Sequence, residues 1–297
     1  MAGEFPHVDG VEHRYVDANG VRIHVAEAGP PDSAAPPILL LHGWPQHWYM
    51  WRRVIEGLRA ERRLLAPDLR GFGWSDAPGH GYDGETFAAD QVALLDALGI
   101  ESAHVLGHDW GGWTAMLLAV LHPDRVVRAI NCNAPHPFIR PTPGLLAEAW
   151  RSWYTWLLAT PGLGRRVLEQ GWITREALSR GNVGEPFDRD EIEIYVESFR
   201  EPERAAAVTS LYRYFQRAFL EGLTGRWRGA RLEVPVLLMF GERDRYISPR
   251  LVRGHRPANM RVELVPDSGH FLVNEKPDLM IDRAREFLSW PASQVHT

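Results

Sequence analysis

The chain has 297 residues, 45% hydrophobic and 24% charged, ordinary proportions for a globular protein, which exclude a disordered or low-complexity reading. Its 33 basic and 38 acidic residues leave a formal charge of −5 without any Lys/Arg-rich run, so nucleic acid is not an expected partner. The longest clearly apolar run, 115–121, is far short of the roughly 18–20 residues that cross a bilayer, so no membrane partner is expected either.

The N-terminal segment MAGEFPHVDG is acidic and lacks the apolar centre of a signal peptide. With a single cysteine, Cys132, no intramolecular disulfide can form, which fits a reducing cytoplasm. Cys132 ends an apolar strand-like run and is expected to be buried filler. The histidines, among them His7, His13 and His24, show no metal-ligand spacing and are expected at the surface. The chain carries 12 tryptophans against 11 phenylalanines. They cluster as Trp44, Trp48 and Trp51, then Trp110 and Trp113, then Trp150, Trp153 and Trp156, a pattern that suits either core packing or an aromatic-lined pocket.

In chain order, short β-like runs at 21–27, 38–41, 63–67, 103–107, 126–131, 234–240 and 262–265 alternate with helical patterns. That alternation predicts a mostly parallel sheet with helices on both faces. A helix is predicted over 85–98, with Phe87, Val92, Leu95 and Leu98 on one stripe, and another over 113–121. Gly99 and His122-Pro123 supply their stops. The rhythm breaks after Pro135. From 137 to 231 the pattern is helical, rich in Trp, Tyr and Arg, and its entry NAPHPFIRPTPG is Pro-rich like a linker. The expected organisation is a core of 1–136 and 232–297 with an inserted helical domain at 137–231.

The segment Gly107-His108-Asp109-Trp110-Gly111-Gly112 lies between the strand at 103–107 and the helix that follows. Small residues on both sides allow a tight strand-to-helix turn that thrusts the central side chain, Asp109, upward, the geometry of a nucleophile elbow. The phosphate-loop and dinucleotide spacings are absent. A carboxylate, with a reference pKa of about 4, is ionised near neutral pH and needs no base to attack. It suits displacement at a saturated, activated carbon better than attack on an ordinary ester. The alkyl ester left on Asp109 must then be hydrolysed, which requires water activated by a histidine held by an acid.

Both partners stand in the expected order: Asp244 in GERD after the strand at 234–240, and His270 in DSGHF after the strand at 262–265. Each lies at a strand's C-terminal end, where open α/β sheets build their sites. Asp267 is the alternative acid, although its closeness to His270 in sequence favours a turn role. HGWP (42–45) follows the strand at 38–41, in the place of an oxyanion loop, so the backbone N–H groups of Trp44 and Trp110 are the candidate oxyanion donors.

HGWP, RGFGWSD (70–76), GHDWGG, GERD and SGHF together resemble the landmarks of the α/β-hydrolase superfamily and, within it, the epoxide hydrolases, over nearly the whole chain. The resemblance implies a mostly parallel eight-stranded sheet flanked by helices, a helical lid, and no cofactor or metal. It further implies that the substrates are a small apolar epoxide and water, and that two lid tyrosines hydrogen-bond the epoxide oxygen. By local context these are Tyr154 in SWYTW and Tyr212 in SLYRY, with Tyr214 the alternative to Tyr212. A phenol of pKa about 10 protonates a departing alkoxide without being charged beforehand. Trp44, Trp110, Trp153 and Trp156 are the expected substrate-binding side chains, and a homodimer is compatible with the sequence.

Haloalkane dehalogenases resemble the chain in the same aspartate, histidine and acid. A halide needs N–H donors, for which Trp110 with Trp153 or Trp156 would serve. The paired tyrosines, and Trp44 where many dehalogenases have Asn or Glu, favour an epoxide. Fluoroacetate dehalogenases resemble GHDRGG at the elbow, where this chain has Trp110 for the arginine. A binding protein of the same fold without turnover is the third alternative, and a serine esterase is disfavoured because the elbow carries no serine.

Overall fold

A computed structural model of the chain describes residues 4–31, 33, 35–139, 149–224, 226–227, 229–252 and 256–289. Its centre is an eight-stranded sheet in the order β1-β2-β4-β3-β5-β6-β7-β8. The strands are β1 (Val11–Ala18), β2 (Val21–Ala28), β3 (Ile38–Leu41), β4 (Leu64–Pro67), β5 (Ala103–His108), β6 (Val126–Cys132), β7 (Val236–Gly241) and β8 (Met260–Val265). From β4 through β3 to β8 all pairings are parallel; β1 and β2 join antiparallel at the other edge.

The parallel strands are apolar throughout because both faces are covered. Their period of two divides the core in two. Leu39, Leu41, Leu238 and Phe240 face one side, packed with Phe87, Leu94 and Leu95 of α2 (Gly84–Ala97) and Leu117 of α3 (Trp110–Leu121). Ile38, Leu40, Leu237 and Met239 face the other, with α1 (Arg52–Leu58) and the C-terminal helix (Pro277–Ser289). The Asp83 side chain caps α2 by accepting the Thr86 N–H at 2.8 Å. The buried stripe of α2 is Phe87, Ala88, Gln91, Leu94 and Leu95, so Val92 and Leu98, expected on it, lie at its margin. Helix α3 begins three residues earlier than its pattern implied, directly after Asp109.

Strand β1 was absent from the expected runs. Glu12, His13, Arg14 and Asp17 make it polar, since it is an edge strand with much of its length solvated. The signal that marks it is Asn19-Gly20, both at positive φ, closing a two-residue hairpin between Ala18 and Val21.

Between β6 and β7 the described residues form no strand. They build α4 (Trp153–Ala159), α5 (Leu163–Glu169), α6 (Trp172–Gly181), α7 (Arg189–Ser198) and the long α8 (Pro202–Thr224), which packs on α4 and α5. Much of the Pro-rich entry, 140–144, lies outside the described residues. After β8 come α9 (Leu272–Glu275) and α10 (Pro277–Ser289). Leu178, Phe187, Ile192, Tyr195 and Val196 of the insertion share an apolar cluster with Phe271, so α6 and α7 sit on the segment that follows β8. Among the described residues no helix is long and apolar enough to cross a membrane.

Candidate active site

Asp109 occupies the turn between β5 and α3 with φ +52° and ψ −118°, a conformation an L-residue adopts at a cost of about 1–3 kcal/mol. Neighbouring glycines make the turn fit. A Cβ on Gly43 would strike the Asp109 side chain, and one on Gly111 would strike the Leu41 and His42 carbonyls. Oδ1 of Asp109 accepts the Trp44 N–H at 2.9 Å, and the Trp110 amide also bonds the carboxylate. The two expected oxyanion donors therefore both bind this carboxylate. Oδ2 lies 3.6 Å from His270 Nε2. Burial pushes the Asp109 pKa up to about 6, against the pull of His270 and the two amides.

His270 and Asp244 meet from the loops after β8 and β7, with Nδ1 of the imidazole 2.9 Å from Asp244 Oδ2. Asp244 is fully engaged. Its Oδ1 accepts the Tyr246 and Ile247 N–H groups at 2.8 and 3.0 Å, and Oδ2 also accepts the Asn133 side-chain amide at 2.8 Å. Burial alone would raise the Asp244 pKa; His270 and these donors outweigh it and hold it below its ordinary value. Burial opposes the His270 charge, but Asp244, Asp109 and Glu275 prevail and raise its pKa. Asp267 is elsewhere, on the surface, paired with Arg243 at 2.9 Å.

Aromatic rings enclose Asp109. Trp44 stacks on Tyr154 with centroids 6.2 Å apart and meets Tyr212 edge-on at 5.7 Å. Trp110 meets Tyr212 edge-on at 5.8 Å, and the two tyrosine rings are 6.1 Å apart. The Tyr154 phenol is held well above its ordinary pKa by burial and then by Asp109. Tyr212 is raised likewise by burial, Tyr154 and Asp109, while a bond to the Trp110 side chain works the other way. Tyr214 points to α2 instead, donating to Glu85 Oε2 at 3.3 Å. Two residues along a helix turn the side chain by about 200°, which separates the two tyrosines.

Trp153 and Trp156, two of the expected substrate-binding side chains, are placed differently from Trp44 and Trp110. Trp153 is 53% and Trp156 64% exposed, although the Trp153 ring still meets Tyr154 edge-on with centroids 6.4 Å apart. On α4 they occupy the face away from the buried Thr155 and Leu158. Trp150 is exposed with them, whereas Trp44, Trp48, Trp51 and Trp110 are buried. The surface role expected for the histidines fails at His24. It is fully buried, with Nδ1 2.8 Å from Asp68 Oδ2. The same carboxylate accepts the N–H groups of Trp48 and Trp74, which pins the loop after HGWP to the RGFGWSD segment. Cys132 is buried, its thiol 3.6 Å from Met280 Sδ, and burial pushes its pKa up.

Several site residues escaped the sequence analysis. Asn133 donates to Asp244 and to the Gly269 carbonyl. His108, kept neutral by burial with a pKa of about 3, donates Nε2–H to the His270 carbonyl at 2.7 Å. Tyr246 packs edge-on against His270 at 5.3 Å, and Arg151 donates to the Asp244 carbonyl. Neighbouring landmarks marked two of them, since His108 precedes Asp109 and Tyr246 follows GERD; Asn133 and Arg151 carried no such mark.

Comparison with known proteins places this geometry in a family. The α/β-hydrolase fold family matches residues 36–277. The chain belongs to that family. It is 30% identical to epoxide hydrolase 3 of Xenopus tropicalis, covering 93% of this chain and 78% of that one. It is also 31% identical to a fluoroacetate dehalogenase from Burkholderia sp, covering 97% of each. Among solved structures, the epoxide hydrolase CorEH without ligand matches with a TM-score of 0.80 and 29% identity, over 94% of this chain and 99% of that one.

Proposed function

We propose that the chain hydrolyses an epoxide to a vicinal diol, with the inserted helices as a lid over Asp109. The observation that carries this reading is the pair of phenols, the buried Tyr212 and the half-buried Tyr154, whose rings lie 6.1 Å apart over Trp44 beside Asp109 and whose pKa values are raised so that both stay protonated. Ring opening needs proton donors where the oxygen departs, and a halide does not.

In the first step Asp109 Oδ2 attacks a ring carbon, because Oδ1 is already held by the Trp44 amide. The C–O electron pair moves to oxygen, which takes a proton from one phenol while the other donates a hydrogen bond. Esterification removes the Asp109 charge, one of the groups that raise the His270 pKa, so more of the imidazole is unprotonated and free to accept a proton when a base is needed. His270, oriented by Asp244, then takes a proton from water. The hydroxide attacks the ester carbonyl, and the amides of Trp44 and Trp110 hold the oxyanion. Collapse expels the alkoxide, which takes the His270 proton and leaves as diol, and the carboxylic acid left on Asp109 gives its proton back to the phenolate formed in the first step, which restores both groups.

A specific feature keeps the dehalogenase reading alive as the second one. The Trp44 indole N–H is buried with no hydrogen-bond partner among the described residues and is a donor of the kind a halide requires. Against it, the Trp110 side chain is engaged with Tyr212, and Trp153 and Trp156 are exposed. Trp110 also occupies the elbow position of the arginine in the fluoroacetate dehalogenase motif.

The test follows diol formed from aryl, alkyl and fatty-acid epoxides, with halide released from bromoalkanes read in parallel and Asp109→Ala as the blank. Diol that vanishes in the blank is expected; halide without diol would move the assignment to dehalogenase. In one turnover in ¹⁸O-water, the oxygen added to the diol should be unlabelled, since it comes from Asp109. Immediate stoichiometric label would mean direct attack by water.

A further inference from the structure

The C-terminal end of α6 is bonded to the loops that carry His270 and Asp244. The Gly181 carbonyl, one of the terminal carbonyls a helix leaves free, accepts the backbone N–H of His270 itself at 2.9 Å. One turn earlier, the Ala177 carbonyl accepts the Tyr246 hydroxyl at 2.8 Å, and the Tyr246 N–H in turn holds Asp244 Oδ1. Just past the helix, the Val183 and Gly184 N–H groups donate to Glu275 Oε2 at 2.9 and 3.3 Å. The other oxygen of that carboxylate accepts the Gly269 N–H at 2.8 Å, adjacent to His270. A Cβ on Gly269 would strike the Gly181 carbonyl, so the backbones meet with no side chain between them.

We infer that Glu275 and Tyr246 are positioning residues through which α6 fixes the His270–Asp244 pair, making ester hydrolysis depend on the seating of an inserted helix. Both act through other groups. Tyr246 sets the acid from its backbone and closes one edge of the imidazole with its ring. Glu275 joins the insertion to the histidine loop with one carboxylate and adds a negative charge that His270 senses. The remaining titratable groups facing His270 are Asp109 and His108 from the β5 turn and Asp244 from the β7 loop. None of these lies on the insertion, whose links to the pair are the backbone carbonyls and amides at the end of α6 and, on the acid's side, the Arg151 guanidinium, which donates to the Asp244 carbonyl at 3.1 Å.

The kinetic part of the inference rests on the epoxide reading, so the experiment includes a measurement that needs no substrate. In the resting protein, the His270 imidazole is titrated by NMR, its signal assigned by its loss in His270→Gln. Glu275→Gln should lower the His270 pKa by about 0.5 or more, because a charge favouring the imidazolium is gone. Tyr246→Phe, which keeps the ring and removes only the bond to Ala177, should leave it nearly unchanged. In single turnovers with an epoxide, Glu275→Gln should form the ester at the parental rate and hydrolyse it about tenfold more slowly. Tyr246→Phe should slow hydrolysis about threefold. An unmoved pKa with unchanged hydrolysis would overturn the inference, as would an equal slowing of both steps, the mark of general damage. A lowered pKa in a protein that makes no ester from any epoxide would support the positioning role while removing the epoxide reading.

Discussion

Asp244, in the loop after β7 at the end of the sheet, and Tyr212, on the inserted helix α8, are fixed by different forces. Four hydrogen bonds saturate the Asp244 carboxylate, two of them from backbone amides of its own loop. Tyr212 is bounded by the rings of Trp44, Trp110, Tyr154 and Phe215, and a bond to the Trp110 side chain directs its hydroxyl. Directional bonds hold an atom to a few tenths of an ångström, whereas ring packing constrains a surface and tolerates sliding. The sheet side is therefore suited to a step with one fixed geometry, attack of water on an ester. The insertion side is suited to accommodating substrates of different shape.

The largest effect should come from removing the base. His270→Gln should slow ester hydrolysis by about 10³-fold or more while leaving ester formation nearly intact. Mass spectrometry of the intact protein would then show the mass of one substrate per chain. A variant that turns over normally would detach the histidine from the second step and break the division proposed here.

The tyrosines test the other half. Tyr154→Phe or Tyr212→Phe should each slow ester formation about 10- to 100-fold, the worth of a hydrogen bond to a developing charge. The double variant should lose more. No ester should build up in any of them, because the first step limits. Accumulated ester in Tyr212→Phe would instead place that phenol in the hydrolysis.

A smaller and continuous effect is expected from pH. Asp109, with its pKa raised to about 6, is a nucleophile only when ionised. Single-turnover ester formation should be flat above that value and fall by about tenfold per pH unit well below it. His270, raised in the resting protein, is protonated on the acid side and cannot accept a proton there. Its basic form in the ester should appear at lower pH than in the resting protein, because the Asp109 charge has been consumed. Rapid-quench rates for the two steps across pH 5 to 9 would separate these limbs, and coincident limbs would argue against the charge coupling.

How much of this was legible in the sequence depends on the range of each interaction. Buried parallel strands such as ILLL of β3 announce themselves, because both faces need apolar residues. Asp109, Asp244 and His270 stand out because each follows such a strand. By contrast, Asn133 has meaning only through Asp244, 111 residues away, and Glu275 only through Val183 and Gly184 on the insertion. No local pattern marks either one. Nothing near His24 in sequence signals its burial, which depends on Asp68, 44 residues further on. Strand β1 escaped because its exposed edge is polar, although Asn19-Gly20 carried the hairpin signal.

The smallest expected effect is also the sharpest check on the insertion. A tryptophan cluster in sequence suits either core packing or a pocket lining, and a helix of seven residues divides its side chains between two faces. Tyr154 goes toward Trp44, and Trp153 and Trp156 go outward. Replacing an exposed side chain that lacks special contacts changes stability by about 0.5 kcal/mol or less. Trp156→Ser should accordingly leave kcat and KM for any accepted epoxide within about twofold of the parent. Trp44→Ala, by contrast, removes a buried ring that touches both tyrosines and should raise KM and lower kcat together. If the Trp156 variant instead raised KM about tenfold with kcat preserved, substrate would be meeting the outer face of α4 on its way in. The enclosed ring cluster would then be only the end of a longer recognition path.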